Sequence, residues 1–209
     1  MAEEKISNEM QTPELDQTNM EQAKAFELVS KTNSSFFLTG RAGTGKTTFL
    51  QYIQKKVDKN FVVVAPTGVA AIMVHGVTIH SFFCMPFTPI TADTNFNINE
   101  EKWVILRKVD TIIIDEVSMV RCDIVDGIDA VLQRAMKNNQ PFGGKQVIFS
   151  GDLYQLEPVI ERNDQELVAF YKNEYGCDSP YFYRAHVFSR IMLPRIEFTK
   201  VYRQSDPIF

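Results

Sequence analysis

The eight residues Gly40-Arg41-Ala42-Gly43-Thr44-Gly45-Lys46-Thr47 constrain this chain more than any other feature. They satisfy the pattern G-x-x-x-x-G-K-[ST] in full, between an apolar stretch at 35–39 and a helix-forming stretch (TTFLQYIQKKV) at 47–57. Such a loop needs a strand to deliver it and a helix to receive it. Its glycines lack the Cβ atoms that would hold a phosphate chain away, and the amides of the loop and first helical turn point at the phosphates. Backbone contacts to phosphate are therefore expected from Gly40, Ala42, Gly43, Thr44 and Gly45, extending to Thr48. Lys46 would reach the β- and γ-phosphates, and the Thr47 hydroxyl would ligate Mg²⁺. The expected cofactors are ATP and Mg²⁺.

Around this loop, apolar strands alternate with amphipathic helices. Strands are expected at 35–39, 61–65, 111–114, 145–150 and 195–198, and helices at 21–30, 47–57, 100–108, 121–138 and 165–172. A small helix is expected within 69–74. The β-branched run Phe61-Val62-Val63-Val64-Ala65 marks a strand buried on both faces. Alternation of this kind predicts an α/β fold, a parallel sheet with helices on both faces. Ligands then bind outside the carboxyl ends of the strands. Residues 84–99, rich in Pro, Thr and Asn, are expected to form a surface loop, and QPFGG (140–144) a turn.

Two further motifs fall at strand ends. In Thr111-Ile112-Ile113-Ile114-Asp115-Glu116 the apolar residues bury a strand and the acids emerge from it. Asp115 would face the metal through water, and Glu116 would orient or deprotonate the attacking water. Standing alone, such a pair could instead be a helix N-cap; beside a P-loop it points to hydrolysis. In Gly151-Asp152-Leu153-Tyr154-Gln155, the glutamine can bond both a lytic water and the terminal phosphate, although a short motif like this is also an ordinary polar turn.

Composition limits the partners less sharply. The 44% hydrophobic fraction suits one well-packed domain, and 22 Lys and Arg against 26 Asp and Glu leave a net charge of −4. That balance gives no global basic footprint for nucleic acid. The acids Glu3, Glu4, Glu9, Glu14 and Asp16 crowd one end, while Arg184, Arg190, Arg195, Lys200 and Arg203 gather near the other, so a basic groove remains possible. Cys84, Cys122 and Cys177 match no zinc or disulfide spacing and are expected as thiols in a reducing compartment. No apolar run approaches the roughly 18–20 residues that cross a bilayer, and the polar N-terminus carries no secretory pattern. No membrane association is expected, and the expected location is cytoplasmic, or nuclear or mitochondrial in a eukaryote.

The segments GRAGTGKT, APTGVAA (65–71), GVTIHSFF (76–83), IIIDEVSMV (112–120), PFGGKQVIFSGDLYQLEPV (141–159) and VYRQSDPIF (201–209) together resemble the successive motifs of Pif-type (petite integration frequency) DNA helicases of superfamily one. The resemblance runs from about residue 20 to 209. It implies a RecA-like P-loop domain that binds and hydrolyses ATP·Mg²⁺ and works 5′ to 3′ on single-stranded DNA, in settings such as repair, recombination and telomere maintenance. It implies that Gln22 reads the adenine edge with Asn19 and Met20 beside the base. Arg203 would touch the γ-phosphate. Pro66, Thr67, Gly68, Thr78 and His80 would contact DNA, with Phe82 as an added base platform. From the residues alone, His80, Phe82 and Phe83 could stack on bases, but Phe82 and Phe83 are more often core residues and His80 on its own is more often a satisfied polar group.

These readings divide the chain into a flexible acidic lead-in (1–17) and a first RecA-like motor domain (18–209). The apolar ending Pro207-Ile208-Phe209 suggests a chain that continues into a second motor domain. The expected unit is a monomer that binds single-stranded DNA and is a weak ATPase unable to unwind alone. The alternatives are a nucleotide-responsive DNA-binding module with little hydrolysis, or a RecD-like recombination or repair ATPase subunit.

Overall fold

The computed structural model describes residues 15–16, 18–160 and 164–202. Its chain-order elements begin with α1 (Met20–Lys31), β1 (Phe36–Gly40), α2 (Lys46–Lys56), β2 (Phe61–Ala65), α3 (Gly68–Met73), β3 (Val77–Thr78) and α4 (Ile79–Phe83). They continue with α5 (Glu100–Lys108), β4 (Thr111–Ile114), α6 (Cys122–Met136), β5 (Gln146–Ser150), α7 (Gln165–Tyr175) and β6 (Arg195–Phe198).

The helix starts follow local chemistry. The side chains of Asn19, Thr67, Thr78, Asn99 and Asp164 each accept a backbone N–H of the following turn, which satisfies one of the otherwise unpaired amides. Helix α2 differs, because Gly45 before it is left-handed (φ 85°) and offers no side-chain cap. The first amides of α2 are thereby left to a ligand, and that is where the P-loop motif put a phosphate.

The strands form one parallel sheet in the order β3-β2-β4-β5-β1-β6. Strands β1, β4 and β5 are buried along their whole length. One face packs on α1 and α2 through Ala25, Val29, Phe49, Leu50 and Ile53. The other is covered by α6 and the aromatic segment at 181–188, where Phe182 lies 5.4 Å from Phe37 and 5.7 Å from Phe149 between ring centres. All strands point the same way, so one carboxyl edge carries, in spatial order, the segments following β3, β2, β4, β5, β1 and β6.

Residues 77–83 form a two-residue strand and a one-turn helix, which the sequence left as an unassigned segment. A strand of two residues has no period to detect, and it exists because β2 offers it a free edge. The PFGG turn is a 3₁₀ turn with Phe142 (φ 54°) and Gly143 (φ 63°) both left-handed. Phe142 is buried, and its N–H donates to Asp129 Oδ1 at 2.6 Å. Within the expected loop at 84–99, Ile90 and Phe96 are buried anchors, and the Ile90 N–H donates to the buried Asp123. The body of the domain begins before residue 18: Leu15 packs on the α1–α2 side, and Asp16 bonds to Lys200 and Tyr202.

Candidate nucleotide and nucleic-acid sites

Ala42 through Thr48, Asp115, Glu116, Gly151 and Gln155 line one cleft of about 340 Å³ at the carboxyl edge. Its floor is the P-loop. Gly43 and Gly45 adopt φ of 79° and 85°, conformations that side-chain-bearing residues rarely take. Gly40 closes the loop against β6, since a Cβ there would lie 2.5 Å from the Phe198 carbonyl oxygen and 2.8 Å from Thr44 Oγ1. The Lys46 ammonium donates to the carbonyl oxygens of Gly40 (2.5 Å) and Arg41 (3.2 Å). It is thus held within its own loop.

The opposite wall comes from β4 and β5. Asp115 is buried and ties its N–H to the Val64 carbonyl at 2.9 Å. Glu116 follows in the left-handed region (φ 51°, ψ 42°), an unfavourable place for a residue with a Cβ. Burial first, and the Asp115 carboxylate second, push its pKa above the ordinary glutamate range; Lys46 opposes this, and Asp152 adds to it. A carboxylate raised in this way is a stronger base than a solvated one. Asp152 also shapes the Gln155 turn, where its carbonyl accepts from the Gln155 N–H (3.1 Å) and its carboxylate from the Tyr154 N–H (3.0 Å).

The base-side residues lie beyond the P-loop. Gln22 is buried, while Met20 is 82% exposed beside it. Asn19 both caps α1 through Oδ1 and donates from Nδ2 to the Tyr202 hydroxyl at 2.9 Å. Tyr202 donates its own N–H to Gly43 (2.8 Å), and its ring lies 3.4 Å from where a Gly45 Cβ would sit. Sequence reasoning missed Tyr202, Lys200 and Asp16 here, because the bonds of Tyr202 to Asn19 and of Asp16 to Lys200 and Tyr202 span 183, 184 and 186 positions. The one available signal was the adjacency of Tyr202 to Arg203. Arg203 itself lies outside the described residues.

On the β2–β3 side, Thr67 and Thr78 use their hydroxyls as caps, accepting from Ala70 and Ser81 N–H groups at 3.2 Å each. Pro66 and Gly68 flank Thr67, and Gly68 is open around its Cα. His80 stacks on Phe87, with ring centres 4.7 Å apart and planes 15° apart. Its Nε2 is buried without a hydrogen-bond partner among the described residues. Burial and the nearby Arg121 hold its pKa below the usual histidine value against the pull of Asp123. Phe82 corrects an expectation. It is 6% exposed, its ring meets Phe83 edge-on, and the Lys102 ammonium lies 4.5 Å above it, so no face is free for a base. Phe83 is fully buried as well. Phe87, within the loop expected at 84–99, is 84% exposed and is the accessible ring of this region.

No helix among the described residues is long and apolar enough to cross a membrane.

The family profile described as PIF1-like helicase matches residues 17–177. The yeast Saccharomyces cerevisiae "ATP-dependent DNA helicase RRM3" is 32% identical over 195 residues, covering 90% of this chain and 25% of that protein. The human "ATP-dependent DNA helicase PIF1" is 34% identical over 200 residues, covering 92% of this chain and 28% of that one. Among solved structures, Bacteroides Pif1 in complex with ADP-AlF4 superposes with a TM-score of 0.82 at 43% identity, over 90% of this chain and 43% of that one. A Bacteroides Pif1 bound to single-stranded DNA gives a TM-score of 0.82 at 42% identity, over 93% and 44% of the two chains. This chain therefore spans about a quarter of the curated relatives and under half of the solved ones. Its fold is that of their RecA-like P-loop sheet.

Proposed function

Because this chain belongs to the PIF1-like helicase family, we propose that the chain from Leu15 onward acts as the first RecA-like motor domain of an ATP-dependent 5′-to-3′ DNA helicase. The observation that carries the proposal is the meeting of Lys46, Thr47, Asp115, Glu116 and Gln155 in one cleft. The 43% identity to the Bacteroides protein solved with ADP-AlF4 supports the same reading.

Each residue has a distinct task. The amides of Gly40–Lys46 and the start of α2 hold the triphosphate, and Lys46 exchanges its two loop carbonyls for phosphate oxygens. Thr47 and Asp115 fit a divalent magnesium ion, because a hydroxyl and a carboxylate are the hard oxygen donors it takes and both face this cleft. When bound, the ion would neutralise charge on the β- and γ-phosphate oxygens. Glu116, with its raised basicity and fixed backbone, orients a water and takes its proton. Gln155 senses the terminal phosphate, and Arg203 stabilises charge developing on it. Asn19, Met20 and Gln22 form the base side.

Single-stranded DNA is the proposed load. The segments after β2 and β3, with Pro66, Thr67, Gly68, Thr78 and His80, would follow its backbone, since helix amides can hold phosphates without net positive charge. Phe87 replaces Phe82 as the aromatic available for stacking. The proposed setting is the cytoplasm, or the nucleus or mitochondrion of a eukaryote. Phosphate release measured with and without oligo-dT tests this reading. ATP·Mg²⁺ turnover that rises with oligo-dT and vanishes in Lys46→Ala supports it; turnover that survives Lys46→Ala refutes it.

A further inference from the structure

Outside the motifs, one side chain gathers an unusual number of partners. Asp16 Oδ1 accepts from the Thr18 N–H (3.0 Å) and hydroxyl (2.6 Å), while Oδ2 accepts from the Tyr202 hydroxyl (2.8 Å) and pairs with Lys200. Its backbone joins in: the Asp16 N–H donates to Gln22 Oε1 (3.3 Å), and its carbonyl accepts from the Asn19 N–H (3.0 Å). The Lys200 ammonium also lies 5.3 Å above the Tyr202 ring. These contacts hold the Asp16 carboxyl below the usual aspartate range, with the Lys200 bond the largest cause, followed by Thr18 and Tyr202. Asp16, Lys200 and Tyr202 all lie outside the family match at 17–177.

The consequence is geometric. Tyr202 touches the P-loop twice, through its N–H on Gly43 and its ring beside Gly45. Its hydroxyl is the third fixed point, and Asp16 with Asn19 supplies that anchor. An aromatic ring with its polar tip satisfied presents a defined face with little rotamer freedom left to lose. Both Asn19 and Gln22 are fastened to Asp16 as well, through its backbone, whereas among the described residues Asp16 reaches the P-loop by hydrogen bonds only through Tyr202.

We propose that Asp16 is a positioning residue for the purine end of the nucleotide, clasping Tyr202 and Lys200 so that the base, and not the triphosphate, gains affinity. This rests on the reading of the cleft as an ATP site. It predicts a split between two ligands that share the phosphate chain and differ in the base.

The test is calorimetric titration of the 209-residue chain with ATP·Mg²⁺ and with inorganic tripolyphosphate·Mg²⁺. Asp16→Ala should weaken ATP about five- to tenfold, the scale of losing a charge-assisted anchor, and leave tripolyphosphate unchanged. Asp16→Asn, which still accepts from Tyr202 but cannot pair with Lys200, should fall between. Equal losses for both ligands would mean a merely structural role and overturn the proposal, as would unchanged ATP affinity. If the wild-type chain binds neither ligand, the ATP-site reading itself falls; if it binds both and only the Asp16 variants fail to discriminate, only this inference does.

Discussion

The PFGG turn allows a sharp test of how the sheet is held against α6. Gly143 and Gly144 are both left-handed, at φ 63° and 81°. A Cβ on Gly143 would lie 2.5 Å from the Leu132 carbonyl oxygen and 2.9 Å from its carbon, both backbone atoms within α6. A Cβ on Gly144 would meet only the Gln140 amide, at 2.7 Å, at the far end of a side chain that can swing away. Gly144→Ala should therefore cost only the left-handed backbone penalty, ~1 kcal/mol. Gly143→Ala adds overpacking against backbone that cannot yield, another ~2 kcal/mol, for a total near 3 kcal/mol. At roughly 3 °C per kcal/mol for a chain of this size, the two melting temperatures should fall by about 3 °C and about 9 °C. Thermal unfolding followed by circular dichroism measures both. Equal falls, or a smaller fall for Gly143→Ala, would refute the packing argument, because backbone conformation alone would then account for the turn.

Glu116→Gln should keep ATP·Mg²⁺ binding and lower phosphate release about 10²–10⁴-fold, the scale of a lost general base; turnover within fivefold of wild type would remove Glu116 from that role. Because burial raises its pKa in the ligand-free cleft, kcat/KM for ATP·Mg²⁺ should begin to fall at a higher pH on acidification than an ordinary glutamate would produce. The ionised carboxylate also penalises the fold once pH exceeds both its unfolded and folded pKa, so Glu116→Gln should melt higher than wild type at pH 7. His80 has the opposite sign: its folded pKa is depressed, so the unfolded chain takes up protons first as pH falls below about 6.5. Stability should drop over that window and drop less in His80→Gln, as urea titrations at stepped pH would reveal. Phe82→Ala should destabilise by about 3 kcal/mol, while the milder Phe82→Leu should leave oligo-dT affinity unchanged; a selective loss of DNA binding would restore Phe82 as a base platform.

Legibility from sequence followed the range of the interactions. The P-loop, β4 with Asp115 and Glu116, and β5 with Gln155 were readable, because strand, turn and helix signals sit within a few residues of one another. The spans of β2, α5, β4 and β6 also came out at the expected residues. Hidden features depended on distant partners. β3 exists only through the edge of β2, and the clasp of Asp16 joins positions separated by 186 residues. The left-handed Phe142 is stabilised by Asp129 on α6, 13 residues earlier, so a bulky residue occupies a conformation that local preference assigns to glycine. Phe82 shows the converse: its motif favoured a ligand contact, and the packing of Lys102 and Phe83 decided otherwise.

The order of segments along the carboxyl edge sets a length scale for energy transfer. Going from the P-loop strand β1 through β5 and β4 to β2 takes three steps between hydrogen-bonded neighbours, or about 14 Å at roughly 4.8 Å per step. The two strands in between, β5 and β4, are the ones that present Gln155 and Glu116. Moreover, the Asp115 N–H is tied to Val64, one residue before the end of β2, and the Pro66-Thr67 segment leaves that same end. The proposed strand-gripping segment is therefore joined to the Asp115–Glu116 corner by one backbone hydrogen bond. In the proposed motor that bond would act as a short lever, its throw set by how far the Asp115–Glu116 corner rocks.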